Sequence, residues 1–254
     1  MGIMKMDLKR TFLSIKFPMA VIATAILWYL NTRRFSAEED VLAIFFAAVG
    51  RSTITYIALA VCGGVYDLSI CEDFQDREIR HILSRVCLKK YVLSKIAACM
   101  TGAVITYIFG TVIYLIFEMT QHPLTVPDSL AVANLQELTT FHGLLPEYTI
   151  IFVLLQVFLN GLCCGCMAVV AMGISPYIRD GFLVLCIPPV LFFLLLFFSQ
   201  NLLKLTTDTE SIFWIIMTEK PCGIFLINVF LYTVCFLVIS FWLLYHGIRR
   251  YEYE

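Results

Sequence analysis

Hydrophobic residues fall in long runs separated by short polar stretches, six runs in all, over residues 15–30, 41–66, 96–117, 150–172, 182–198 and 224–245. Apolar stretches approaching ~20 residues match what a helix needs to cross ~30 Å of hydrocarbon. The pattern predicts an all-α membrane protein with one transmembrane domain over residues 1–254. Ahead of the first run, residues 4–16 put Met4, Leu8, Phe12 and Ile15 on one helical face, with Lys5, Lys9 and Arg10 off it. That is the signature of a basic amphipathic helix in the interface, an elbow leading into the bilayer. Pro18 suits the first turn of the helix that follows and marks a bend beside it. No small-residue cleavage site follows the run, so it does not read as a signal peptide.

Ser36 and Glu39 have capping-box spacing, so helix is expected to open there and to continue through 41–66 as a single span. In the fifth run, Pro188 and Pro189 remove two backbone donors and are expected to break or kink the helix. Gly161 and Gly165, and the series Gly102, Thr106, Gly110, have the small-residue spacing of close-packed helix pairs. Between runs, Leu130, Ala133, Leu138 and Phe141 suggest a short helix on the outer surface. Residues 199–222, with an apolar "IFWII", read as an interfacial or re-entrant piece. The chain has no internal repeat and no low-complexity segment.

Charge orients the runs. Lys5, Lys9, Arg10 and Lys16, the six cations of 67–95, Arg179, Arg249 and Arg250 total thirteen on one side, against Arg33, Arg34, Lys204 and Lys220 on the other. The positive-inside rule then places both termini in the cytoplasm. Of ten cysteines only Cys222 lies near the outside, which argues against a disulfide framework. "CCGC" at 163–166 lacks zinc-site spacing and has no histidine nearby, so small-residue packing accounts for it better than a metal does.

In a chain only 15% charged, "EDFQDREIRHILSRVCLKKY" at 72–91 stands out. Ile79, Ile82, Leu83 and Val86 form one helical stripe, and Asp73–Arg77 and Asp76–Arg80 are i,i+4 pairs with the acid first, the favoured order. Acids lead and bases follow, matching a helix dipole. An amphipathic cytoplasmic helix is expected, its stripe packed on the spans and its charged face free. Anionic lipid would explain Lys89, Lys90 and Lys95, but would repel the four acids between Glu72 and Glu78. A protein partner of mixed charge explains both.

This stretch, continued through Lys95, resembles the cytoplasmic segment after the second span of ABC-2 type ABC transporter permeases. Asp73, Phe74, Ile79, Arg80, Ile82, Leu83, Ser84, Arg85, Tyr91, Leu93, Ser94 and Lys95 fit that pattern, over less than a tenth of the chain. Arg77 stands where Gly is usual and Val86 where Gly or Pro is usual, which predicts a longer, straighter helix than in relatives. The resemblance implies a coupling helix over 72–91 that docks on a separate ATPase through Asp73, Phe74, Glu78, Arg80, His81, Ser84, Arg85 and Lys89. It further implies two ATPase copies binding ATP and Mg, a second permease subunit forming a homodimer, and residence in a bacterial plasma membrane. The chain itself has no GxxxxGK[ST] loop, so it is not expected to be an enzyme. The small frame is similar to that of small bacterial exporters of cytolytic or antimicrobial peptides; drug, lipid or polysaccharide export is the alternative.

Polar residues inside the runs are the candidates for a substrate path: Arg51, Thr55, Tyr56, Gln156 and Asn160. Arg51, counted as a straight helix from residue 41, would lie roughly 15 Å deep, where a charge costs ~2.5–3.5 kcal/mol. It would line a cavity or pair with an acid such as Glu118 or Glu147. Gln156 and Asn160, one turn apart, face that cavity or join helices. No paired carboxylates, histidine cluster or nucleophile–base pair shares one depth, which disfavours an intramembrane enzyme. A non-transporting anchor that recruits a partner through 72–91 is the other class. Nothing points to nucleic acid.

Overall fold

The computed structural model describes residues 2–33, 40–49, 53–66, 68–75, 79, 82, 84–126, 148–178, 180–201 and 222–253. Among these there is no strand. The helices are α1 (Ile3–Leu13), α2 (Lys16–Thr32), α3 (Val41–Val49), α4 (Thr53–Gly63), α5 (Ser69–Gln75), α6 (Leu88–Met119), α7 (Thr149–Ile174), α8 (Gly181–Asn201) and α9 (Cys222–Tyr253). Three are long and apolar enough to cross a membrane, or up to five if each bent pair counts as one crossing.

Contacts fix the direction of each run. Thr11 meets Gly102, Thr24 meets Gly110, and Trp28 Nε1 donates to Thr111 Oγ1 at 3.2 Å, so α1–α2 run parallel to α6. Gly161 lies on Val104 and Gly165 on Met100, so α7 is antiparallel to α6. Tyr56 packs on Phe192 and Gly64 on Leu185, so α8 is antiparallel to α4. Gly173 touches Ser240 and Gly247 touches Pro176, which sets α9 parallel to α7. Successive runs thus alternate in direction. The start of α1 and the finish of α9 share one end of the bundle.

The small-residue stripes pack as their spacing predicts. A Cβ on Gly110 would sit 2.6 Å from Thr24 Cβ and 3.0 Å from the Val21 carbonyl, and one on Gly165 2.6 Å from Met100 Sδ. Backbones approach this closely only where side chains are absent. In α9 only 17% of the apolar window is buried, against 61% in α7, so α7 is the central helix and α9 a peripheral one. Exposed Phe230, Val238 and Trp242 give α9 an outer face suited to hydrocarbon.

The first run begins with a bend. α1 and α2 meet at 51°, and α2 starts at Lys16, which places Pro18 in its first turn. Three expectations require correction. First, 41–66 is not one straight helix: α3 and α4 differ in direction by 78°. The first donors of α3, Val41 N and Leu42 N, bond the carbonyls of Pro123 and Leu124 just beyond α6, while Asn31 in the last turn of α2 donates to the Ala48 carbonyl near the end of α3. Both ends of α3 are therefore held close to one end of the bundle. Second, the helix runs unbroken through Pro188 and Pro189. Third, 72–91 is not one helix, as described below. Arg51 itself, the Ser36–Glu39 box, the outer helix over 130–141 and nearly all of 199–222 lie outside the described residues.

Candidate functional site: an ionic joint between α1, α5 and α6

At 32 residues, α6 is about 48 Å long, well beyond the ~30 Å of hydrocarbon. Its first turns therefore extend past the apolar layer and can carry polar groups. Tyr91, Ser94 and Lys95, at spacings of three and four, share one face there. On α1, Asp7, Arg10 and Thr11 do the same. On α5, Glu72 and Asp73 are adjacent. These three helices, with Lys16 at the start of α2, bring six charges together: Asp7, Glu72 and Asp73 with Arg10, Lys16 and Lys95.

Asp73 is the hub and is fully buried. Its carboxylate accepts from Arg10 Nη1 at 2.8 Å, Tyr91 Oη at 2.7 Å and Lys95 Nζ at 2.7 Å. Asp7 accepts from Tyr66 Oη at 2.8 Å and Ser94 Oγ at 2.5 Å, with Lys95 Nζ 3.5 Å away. Lys95, also buried, sits over the faces of Tyr66 and Tyr91 at 5.2 and 5.4 Å, a favourable place for a cation. At the rim, Glu72 pairs with Arg10 at 3.3 Å and with Lys16. Burial on its own would raise the pKa of Asp73. The neighbouring Lys95 ammonium and the hydrogen bonds from Lys95, Tyr91 and Arg10 outweigh it and hold the carboxyl below its ordinary value. Each buried acid is thus matched by a cation and by neutral donors, the condition under which buried charge is tolerated.

Around this joint lies an apolar layer of Ile70, Phe74, Ile79, Val92, Leu244 and Ile248. Ile79 is buried and Ile82 and Val86 half-buried, so that part of the 72–91 stripe packs inward as its periodicity predicts. The helix itself does not continue. Residues 84–86 form a turn, Cys87 is extended, and Leu88 opens α6. Val86 is no helix breaker, but the chain must turn there to enter α6.

The implied coupling residues separate by burial. Asp73 and Phe74 are buried, Asp73 against Arg10 of α1 and Lys95 of α6, so neither belongs to a free charged face. Ser84, Arg85 and Lys89 are exposed beside the turn. Glu78, Arg80 and His81 lie outside the described residues. Asp7, Arg10, Tyr66 and the inward role of Lys95 were not legible as a site. The sequence signal that could have found Asp7 is an acid among the bases of an amphipathic helix.

The expected path residues are dispersed. Thr55 Oγ1 donates to the Val49 carbonyl at 3.3 Å, and Tyr56 packs at a steep angle on Phe192 and Phe193. Gln156 is buried and donates to Asn160 Oδ1 at 2.8 Å, a pairing within α7. A 160 Å³ apolar cavity is lined by Phe45, Leu115, Met119 and Val153, and a 190 Å³ polar cavity by Tyr29, Thr32, Glu118 and His122. None of the four described candidates, Thr55, Tyr56, Gln156 and Asn160, lines either one. Among the described residues, no group of three or more His, Cys, Asp or Glu is placed to hold a metal. Cys163, Cys164 and Cys166 are buried and form no disulfide among the described residues. Comparison with protein-family models, with curated proteins and with solved structures gives no match for this chain.

Proposed function

We propose that this chain is the membrane subunit of an ATP-driven exporter of the ABC-2 type, working as a homodimer with two copies of a separate ATPase. In this reading the chain crosses a bacterial plasma membrane six times with both termini in the cytoplasm, and the ATPases bind ATP and Mg. The cargo is amphipathic or hydrophobic, such as a cytolytic or antimicrobial peptide.

The observation that carries the proposal is the ionic joint. A coupling device must pass a push from a cytoplasmic partner into the membrane helices. Here the opening of the 72–91 segment is fastened by Asp73 both to α1, through Arg10, and to α6, through Lys95. Force on the exposed turn at Ser84–Arg85 would reach α6 directly through Leu88 and reach α1 through Asp73. α1, α5 and the start of α6 then move as one body, a rigid-body switch. The alternating runs and the 51° bend between α1 and α2 support the same reading. So does the motif resemblance, which rests on residues 73–95 alone.

The test is copurification of the tagged chain with an ATP-binding-cassette ATPase, followed by charge reversal at Arg80 and Arg85. The double reversal is expected to release the ATPase or uncouple hydrolysis from peptide export while membrane insertion is unchanged. Normal cargo-stimulated hydrolysis in that variant, or the absence of any copurifying ATPase, counts against the reading. The second outcome favours an anchor instead.

A further inference from the structure

We propose that the polar cavity at the opposite end of the bundle from the ionic joint binds a small organic cation, a primary alkylammonium, with Glu118 as its counter-charge. The inference does not depend on the transport reading.

Glu118 ends α6 and is 5% exposed. Its described side-chain partner is a single hydrogen bond, from Thr32 Oγ1 at 3.3 Å. Among the described residues no cation pairs with it. The contrast with the ionic joint is the point: there each buried acid lies beside a lysine or arginine, whereas Glu118 lies beside a cavity of 190 Å³. A buried carboxylate without a positive partner is costly, and a cation in that cavity supplies one. The Tyr114 hydroxyl, beside Glu118 and Thr32, is also buried.

The lining selects the class of ligand. An ammonium has three donors and no acceptor. Glu118, Thr32 and the amide of Gln121 offer it a carboxylate and two neutral acceptors. Ile44 and the ring of Tyr29 give an alkyl chain an apolar wall. At ~30 Å³ for each water-sized group, the volume holds roughly six of them, enough for a short alkylammonium. A bare metal ion finds no set of three carboxylate, histidine or cysteine groups among the described residues. Arg33 reaches the cavity rim but is exposed and directed to Tyr29, with its guanidinium 5.0 Å from the ring centre.

The experiment uses the full chain in zwitterionic nanodiscs with n-butylammonium chloride as the probe. Sodium chloride and n-butanol at equal concentration are the controls. Saturation-transfer NMR on the butyl methyl group and thermal unfolding are the readouts. Butylammonium is expected to bind saturably and raise Tm, and butanol is expected to do neither. Glu118→Gln should weaken binding about tenfold or more, as expected when a charge-assisted hydrogen bond is lost. Arg33→Gln should bind as well as the native chain or better. Non-saturable binding, equal binding by Glu118→Gln, or butanol matching butylammonium overturns the proposal. The butanol arm decides the question even where Glu118→Gln fails to fold. Binding that emerges only in Arg33→Gln also overturns it, because Arg33 is then the natural occupant.

Discussion

Replacing Lys95 with methionine keeps most of the side-chain length and removes the one cation shared by two buried acids. Removing one partner of a buried pair costs about 3–5 kcal/mol, because the remaining charge is left uncompensated. The structure says where that cost falls. Asp73 would keep Arg10 at 2.8 Å and the Tyr91 hydroxyl at 2.7 Å. Asp7 would keep only neutral hydroxyls, from Tyr66 and Ser94. Arg10 is 42% exposed, so solvent screens part of its help to Asp73, but it remains a charge in contact. Most of the penalty therefore sits on Asp7. Lys95→Met alone should lose about 3–5 kcal/mol, and adding Asp7→Asn should recover about half or more of it. Adding Asp73→Asn should recover less. The assay is equilibrium unfolding in mixed micelles followed by tryptophan fluorescence, with all variants in one background. A loss below ~1 kcal/mol, or better rescue by Asp73→Asn than by Asp7→Asn, would refute the assignment of Lys95 as the shared counter-ion.

Because Asp73 has a lowered pKa in the folded chain, its stabilising contribution is fully present above the ordinary value of 3.8 and is lost as pH falls below it toward the folded value. Asp73→Asn should flatten the pH dependence of unfolding in that acid window and leave the neutral-pH slope unchanged; an unchanged acid limb would count against the lowered pKa. Gly110→Ala drives a methyl group into Thr24 and the Val21 carbonyl. Overpacking of that kind costs about 1–3 kcal/mol, so the variant should melt earlier than Gly223→Ala, where nothing lies within 4 Å; equal melting would remove the α2–α6 contact from the stability account. Single cysteines at Ser129 and Thr207 on a cysteine-free background should react with an impermeant thiol reagent from outside, and one at Ser84 only after the membrane is opened. Outside labelling at Ser84 inverts the topology.

Hydropathy alone determined that this chain is helical and suited to a membrane, because a backbone in hydrocarbon must satisfy its own hydrogen bonds and each run needs a minimum length to do so. Small-residue spacing foretold the close approaches at Gly110 and Gly165, since an i,i+4 repeat on a helix is also a repeat on its surface. Local periodicity foretold the inward stripe at Ile79. The bend between α3 and α4 and the unbroken helix through Pro188 and Pro189 were not available in this way. The placement of α3 depends on what a neighbouring segment supplies, the Pro123 and Leu124 carbonyls that receive its first donors.

The ionic joint was the least legible feature. Lys95 looked like one more base near a membrane surface, and Asp73 like half of an exposed i,i+4 pair. Asp7 drew no notice at all. Their partners lie 63, 87 and 88 positions away in sequence for Arg10–Asp73, Asp7–Ser94 and Asp7–Lys95. A charge written in a sequence carries its sign but not its surroundings. Whether it faces water, lipid or an opposite charge is decided only when the helices pack, and at this joint packing turned three charges of a surface pattern into a buried ionic cluster.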